Sequence, residues 1–367
     1  MKINRDLDKI ALVFFILTIS LILAGGVAYV VKYKYPSGSD ISLHLRLSQG
    51  WLNLDVPLFD DRYFSKGLFP YPPAFHLTLA ALSLAPLVGL IDVANILQVI
   101  LFPSILLTTF YLVYKKKDTL TAVISVLILA TSPAFWDRGA QVIPQAVDLL
   151  LFPMAILFYT EKKNSIFIAI SSYLLYSHWL YSGLFVISLL AYTYLYEKER
   201  LKIFYSILLA CLPLILLMLY YTPALIKAEV FIPETGGINE PQELGVITEP
   251  LFAIKYLGYP LFILTIILII HMGFKKPDRL GKLTVFWGIG LIPMLIFFPD
   301  RFIEYVAQPL AILSGLMISD LFGYRGKGLI LVCVFLYAVL SQYYFYQALI
   351  INGEVWMPLD SLSPFVR

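Results

Sequence analysis

The stretch that decides the reading is Lys32–His76, KYKYPSGSDISLHLRLSQGWLNLDVPLFDDRYFSKGLFPYPPAFH. It gathers Asp40, His44, Arg46, Asp55, Asp60, Asp61, Arg62 and His76 between two strongly apolar regions. The surrounding chain of 367 residues is 60% hydrophobic and only 14% charged, with a mean hydropathy of +0.82. A soluble domain carries roughly a quarter of its residues charged. Apolar runs recur along the whole length, and one helical crossing needs about 20 such residues. The runs are continuous instead of alternating, which excludes a β-barrel in favour of helices. The expected fold is an all-α integral membrane protein, and Lys32–His76 belongs to a loop where polar chemistry meets water.

Basic clusters set the topology. They follow Lys2, Arg5 and Lys9 at Lys115-Lys116-Lys117, Lys162-Lys163, Lys198–Lys202, Lys275–Lys282 and Arg325–Lys327. Placing all of them on the cytoplasmic side requires an even number of crossings between neighbours, which gives a bundle of about eleven transmembrane helices. The expected spans are 10–31, 92–114, 120–135, 146–160, 165–181, 184–196, 203–222, 251–273, 283–299, 305–322 and 329–349. The apolar segment Pro73–Leu90 is then a juxtamembrane helix of the first outer loop, because counting it as a crossing exports three lysines and inverts the clusters that follow. The chain reads as a single membrane domain over residues 1–367, with outer segments at about 32–91 and 223–250 and a short outer tail at 350–367. Its amino terminus is cytoplasmic, and the first apolar run lacks a convincing cleavage site, so it reads as a retained span. Cys211 and Cys333 both lie in apolar runs and imply neither a disulfide framework nor a metal site.

Within the first loop, Ser37-Gly38-Ser39-Asp40 reads as a turn opening a helix. Asp40, His44 and Ser48 then share one helical face. A carboxylate and an imidazole at the lip of a membrane cavity suit proton abstraction; the plain alternative is a helix cap and an interfacial histidine. Asp60-Asp61 offers paired oxygen ligands for a divalent cation, against which stands a solvated pair beside Arg62. Pro70–His76 is a rigid entry into the loop helix, where Tyr71 and His76 are candidates for a sugar pocket. In the second outer loop, Arg138, Gln141 and Gln145 are candidates to bind hydroxyls over the face of Trp136. His178 lies near an outer helix end, where an interfacial belt is the simplest explanation. Arg301, with Asp300 and Glu304 close by, sits at another outer boundary. Its planar fork matches phosphate oxygens, and Lys255 is a second candidate for that role.

Taken together these features resemble the GT-C superfamily of multispan glycosyltransferases, which use polyprenyl-phosphate-linked sugars. The resemblance rests on Asp40 in a long loop after the first span, on Tyr71-Pro72-Pro73-x-x-His76, on Thr131-Ser132-Pro133 before a loop with Arg138, and on Asp300-Arg301-Phe302-x-x-Tyr305. It implies inverting transfer on the outer face of the plasma membrane, from a polyprenyl- or dolichyl-phosphate sugar to a lipid-linked glycan or protein. Asp40 corresponds to the first-loop acid that acts as base or orients the acceptor, and Arg301 to the arginine on the donor phosphate. His76, Tyr71, Arg138, Gln141, Gln145, His178 and Glu304 would contact sugar or acceptor. The second outer loop lacks the acidic pair of oligosaccharyltransferases, and no large soluble carboxyl-terminal domain is expected. Transfer of a single sugar therefore fits better, and a divalent cation is possible but not required. Nothing points to nucleic acid. A lipid-linked-sugar flippase or small-solute transporter is the alternative, although polar groups gather at the outer rim and no repeat is evident; an assembly subunit would need neither Asp40 nor Arg301.

Overall fold

A computed structural model describes residues 2–38, 41–54, 72–86, 88–197, 200–227, 257–297 and 299–351. For Arg138, Trp179 and Arg301, among others, it describes the backbone alone. Asp40, Asp60, Asp61, Tyr71 and Lys255 lie outside the described residues.

Among the described residues the regular structure is entirely helical. In chain order the helices are α1 (Lys2–Tyr33), α2 (Ile41–Leu52), α3 (Ala74–Ser83), α4 (Leu90–Lys116), α5 (Thr119–Leu129), α6 (Pro133–Gly139) and α7 (Pro144–Thr160). They continue with α8 (Asn164–Ser177), α9 (Trp179–Tyr196), α10 (Arg200–Lys227), α11 (Tyr259–Phe274), α12 (Arg279–Phe297), α13 (Pro299–Leu321) and α14 (Tyr324–Ile351). Among the described residues every expected span coincides with helix, although 120–135 and 165–181 are each divided between two helices. Among the described residues three segments, Asp6–Tyr33, Leu90–Lys116 and Arg325–Tyr346, are long and apolar enough to cross a membrane by themselves, and six shorter apolar helices accompany them. Their outward faces are hydrocarbon: Val13, Ile16, Val31, Ile269, Ile270, Leu336 and Leu340 all stand exposed, as lipid-facing residues do.

Two expected spans are interrupted. The segment 120–135 stops at Leu129, passes through Ala130–Ser132 and restarts at Pro133 as the short helix α6. Proline opens a helix readily because its missing N–H is an orphan there. The eleven residues of α5 reach only about 16 Å at the α-helical rise. Ten of them are buried, since α5 is enclosed by α1, α4, α13 and α14. Asp118 caps its start, accepting from the Thr121 N–H at 2.8 Å. The segment 165–181 breaks at His178, whose φ of −152° and ψ of 88° fall outside the helical region.

Small residues permit the closest helix approaches, as they do where lipid offers no hydrophobic drive between helices. A Cβ on Gly25 of α1 would stand 2.6 Å from three ring atoms of Tyr346 on α14. The Tyr346 hydroxyl donates to the Ile22 carbonyl at 3.0 Å, and Phe14 stacks on Phe335 at 4.0 Å between ring centroids. Gly315 of α13 lies against Ser125 of α5 in the same way. In the centre, Gln308 of α13 donates to Thr109 of α4 at 2.8 Å and to the Leu149 carbonyl of α7 at 3.0 Å.

The helices α2 and α3 stand apart from this bundle in character. The ten residues of α3 span about 15 Å, too short to cross the roughly 30 Å hydrocarbon layer. Ile41 and Leu45 of α2, Phe75 and Leu79 of α3, Leu90 and Val93 of α4 and Val142 form a second small core. It holds the loop helices onto the end of the bundle.

Candidate functional site

That small core positions a pair of buried histidines. His44, in the middle of α2, and His76, in the first turn of α3, are each 1% exposed. His44 Nδ1 lies 3.0 Å from His76 Nε2. His76 Nδ1 lies 3.2 Å from the Pro72 carbonyl oxygen, and a carbonyl only accepts, so the His76 proton resides on Nδ1. His76 Nε2 is then an acceptor, His44 Nδ1–H is its donor, and His44 Nε2 is left as the acceptor nitrogen of its ring. The Phe75 ring meets His44 edge-on at 5.4 Å. The Ser48 hydroxyl donates to the His44 carbonyl at 2.7 Å, which places His44 and Ser48 on the same buried face.

Burial lowers the His44 pKa to about 3, with the charge of nearby His178 adding to the effect. Burial also holds His76 well below the ordinary histidine range; neighbouring His44 pushes in the same direction, and the Pro72 carbonyl opposes both. Both rings are therefore neutral at physiological pH.

The neighbourhood extends across the bundle through aromatic rings. His178, at the break between α8 and α9, packs on Tyr181 with centroids 4.2 Å apart. Tyr181 stacks on Tyr305 of α13 at 4.0 Å. Glu304 and Tyr305 are both buried and lie three and four residues beyond Arg301, one helical turn along α13. Ring contacts thus join His178 to the helical turn that carries Arg301, and His178 lies near enough to His44 for its charge to act there.

The connection between α6 and α7 packs onto the segment before α2. Gly38, at φ +121°, adopts a conformation suited to glycine, and a Cβ there would fall 2.7 Å from Gln141 Oε1. The segment leading to Gly38 is fixed to α4: the Ser37 N–H donates to Gln98 at 2.6 Å, and Gln98 donates back to the Ser37 hydroxyl at 2.7 Å. Gln145 lies in the first turn of α7, with its side-chain oxygen enclosed. Trp136 does not offer its face as expected: it is buried, edge-on to Phe345 at 5.0 Å.

Sequence reasoning missed a second group of polar residues beside these. Asp148 is completely buried in α7, with Ser182 of α9 and Tyr173 of α8 as polar neighbours. The Tyr173 hydroxyl hydrogen-bonds Thr78 of α3 at 2.9 Å, so this group reaches the loop helices as well. The signal was present, since Asp148 is the one charged residue between Pro144 and Thr160 and an ionisable group in such a helix is costly. Among the described residues no three His, Cys, Asp or Glu side chains gather closely enough to hold a metal ion. Each imidazole of the histidine pair spends a nitrogen on the other.

Solved structures place this arrangement among known folds. Oligosaccharyltransferase from Archaeoglobus fulgidus, in complex with zinc and sulfate, superposes with a TM-score of 0.59 at 14% identity, covering 89% of this chain and 52% of that one. The chain shares the fold of a GT-C enzyme. The apo form of the same protein gives 0.57 at 13% identity, over 90% and 55% of the two chains. The form tethered to an acceptor peptide containing the NVT sequon gives 0.55 at 13% identity, again over 90% and 55%. The chain spans about half the length of these neighbours. No family model matches the sequence, and no curated protein matches it. The GT-C resemblance read from short motifs is thus matched by the fold.

Proposed function

We propose that the chain is a membrane glycosyltransferase of the GT-C type, transferring a single sugar from a polyprenyl-phosphate carrier to a lipid-linked glycan or protein. The observation that carries this reading is the chain of ring contacts from His178 through Tyr181 and Tyr305 to the turn of α13 bearing Arg301, with the buried His44–His76 pair near enough to feel the charge of His178. It links a place for an acceptor with a place for a phosphate on a fold shared with a glycosyltransferase.

In the reaction, an acceptor hydroxyl or amide attacks the anomeric carbon from the face opposite the phosphate. The new glycosidic bond forms as the carbon–oxygen bond to phosphate breaks, with inversion, and the lipid phosphate leaves with the electron pair. Asp40 takes the acceptor proton. His44, with a pKa near 3, is too weak a base for that task and instead presents Nε2 to orient the reacting groups. Arg301 holds the departing phosphate, where negative charge develops and a fixed cation helps most, with Lys255 as a second cation. Tyr71, His76, Arg138, Gln141, Gln145, His178 and Glu304 surround sugar and acceptor, and Asp60 with Asp61 is the place for a divalent cation if one takes part. The proposed topology has eleven crossings, a cytoplasmic amino terminus and the site on the outer face of the plasma membrane.

The test is sugar transfer by the purified protein in lipid, offered radiolabelled polyprenyl-phosphate monosaccharides and a membrane-lipid extract. Wild-type protein transfers label, and correctly inserted Asp40→Asn and Arg301→Ala do not. Undiminished transfer by both variants would discard the site. Cysteine labelling that finds positions 115–117 on the outer side would overturn the topology.

A further inference from the structure

The end of the bundle opposite the histidines carries the basic clusters and holds a cavity of about 470 Å³. Among the described residues, Lys162, Lys202, Arg279 and Lys282 line it, against the one carboxylate of Glu197. Glu197 is committed to Arg279 at 2.8 Å, and the Tyr192 hydroxyl lies beside the same guanidinium. The Lys282 ammonium stands 4.8 Å from the centre of the Tyr196 ring. These contacts fix the wall, and Lys202 and Lys282 add positive charge to it beyond the Arg279–Glu197 pair.

Three helices begin at this cavity: α8 at Asn164, α10 at Arg200 and α12 at Arg279. The positive ends of their dipoles therefore lie at this end of the bundle, although at α12 Asp278 already accepts from the Gly281 N–H at 2.8 Å. The first turns of α10 also leave Leu201, Phe204 and Tyr205 exposed, an apolar apron that continues from the basic mouth along the hydrocarbon-facing surface. A neighbouring cavity of about 250 Å³ makes the contrast. There Asp278 pairs with Lys117 and Asp320 with Lys275 at 3.1 Å, so its charge is largely compensated.

We propose that the cavity between α8, α9, α10 and α12 binds the phosphate headgroup of an anionic phospholipid, with the acyl chains lying over Leu201, Phe204 and Tyr205. Basic pockets between membrane helices take such headgroups, and the apron favours a lipid over a soluble phosphate. The site is at the other end of the helices from the candidate active site and does not depend on the glycosyltransferase reading.

Native mass spectrometry of the full chain in neutral detergent tests this, with dioctanoyl-phosphatidylglycerol, dioctanoyl-phosphatidylcholine and inorganic phosphate as probes. Lys202→Gln/Lys282→Gln removes two cations, which weakens phosphatidylglycerol binding about 30-fold. The same variant leaves phosphatidylcholine binding unchanged, and Lys275→Gln/Lys276→Gln in the neighbouring cavity leaves phosphatidylglycerol binding unchanged. Thermal unfolding confirms the fold of each variant; should the double variant fail to fold, Lys282→Gln alone shows a loss of about fivefold. Equal phosphatidylglycerol affinity in the folded cavity variant and wild type would overturn the proposal, as would equal loss in the neighbouring-cavity variant. Displacement of the lipid by an equal concentration of inorganic phosphate would reassign the site to a soluble anion and sink the lipid assignment.

Discussion

Replacing His76 with phenylalanine separates the structural from the chemical role of the histidine pair. The ring volume is nearly kept, but both nitrogens go. His44 Nδ1–H loses the acceptor it holds at 3.0 Å, and the Pro72 carbonyl loses a donor at 3.2 Å. Each buried group stranded without a partner costs about 1–3 kcal/mol, so His76→Phe destabilises by about 2–6 kcal/mol on the same basis. His44→Phe strands the His76 Nε2 acceptor and costs about 1–3 kcal/mol. In the double variant donor and acceptor disappear together, and only the Pro72 carbonyl remains to be satisfied. Its cost falls short of the sum of the two single changes by the two stranding penalties that vanish, about 2–6 kcal/mol.

The assay is reversible unfolding in mixed micelles, followed for wild type, both single variants and the double variant, with sugar transfer measured on the same preparations. Stability recovers in the double variant relative to the sum, while transfer stays low because Nε2 of His44 is gone. Single-variant costs that add to within about 0.5 kcal/mol would refute the hydrogen bond and the tautomers assigned from it. Full transfer in a folded double variant would remove His44 from the site.

The same pair gives a pH dependence with a definite sign. Its histidines bind protons less readily folded than unfolded, His44 at about 3 against 6.5, so their neutral burial is fully tolerated above pH 6.5 and stability is lost as the pH falls below it toward 3. The thermal midpoint of purified wild type therefore drops between about pH 7 and pH 5, and His44→Phe/His76→Phe flattens that slope. Gly25→Ala drives a methyl group into the Tyr346 ring, 2.6 Å away, and lowers stability by about 1–3 kcal/mol; Tyr346→Leu added to it recovers part of the loss in thermal unfolding. Gln308→Leu removes the donor to Thr109 and to the Leu149 carbonyl, at a cost of about 1–3 kcal/mol read in the same assay. Arg301→Lys keeps the charge without the planar fork and lowers transfer less than Arg301→Ala, read as initial rates with a labelled carrier lipid.

Which parts of this molecule were legible in its sequence follows from what hydropathy measures. Long lipid-facing helices such as α1, α4 and α14 announce themselves because nearly every residue must be apolar. A buried helix such as α5 carries the same composition for a different reason, contact with protein on all sides, so composition misjudged where it ends. The break at His178 was hidden likewise, since apolar residues continue through it from Leu174 to Phe185 with little interruption. The loop histidines were recognisable as polar residues in a segment between two apolar regions, but spacing alone paired His44 with Asp40 and Ser48 along one helix. Its described buried ring partner, His76, comes from 32 positions away, a distance that only the packing of α2 on α3 closes. Asp148 shows the converse: a single acid in an apolar run is easy to see and easy to pass over, and its setting beside Ser182 and Tyr173 depends on three helices meeting. Polar groups that depend on tertiary contacts are thus where this sequence says least. The His44/His76 cycle measures one such contact directly, and non-additivity there would mean that the loop helices are held in place by the same atoms that orient the proposed chemistry.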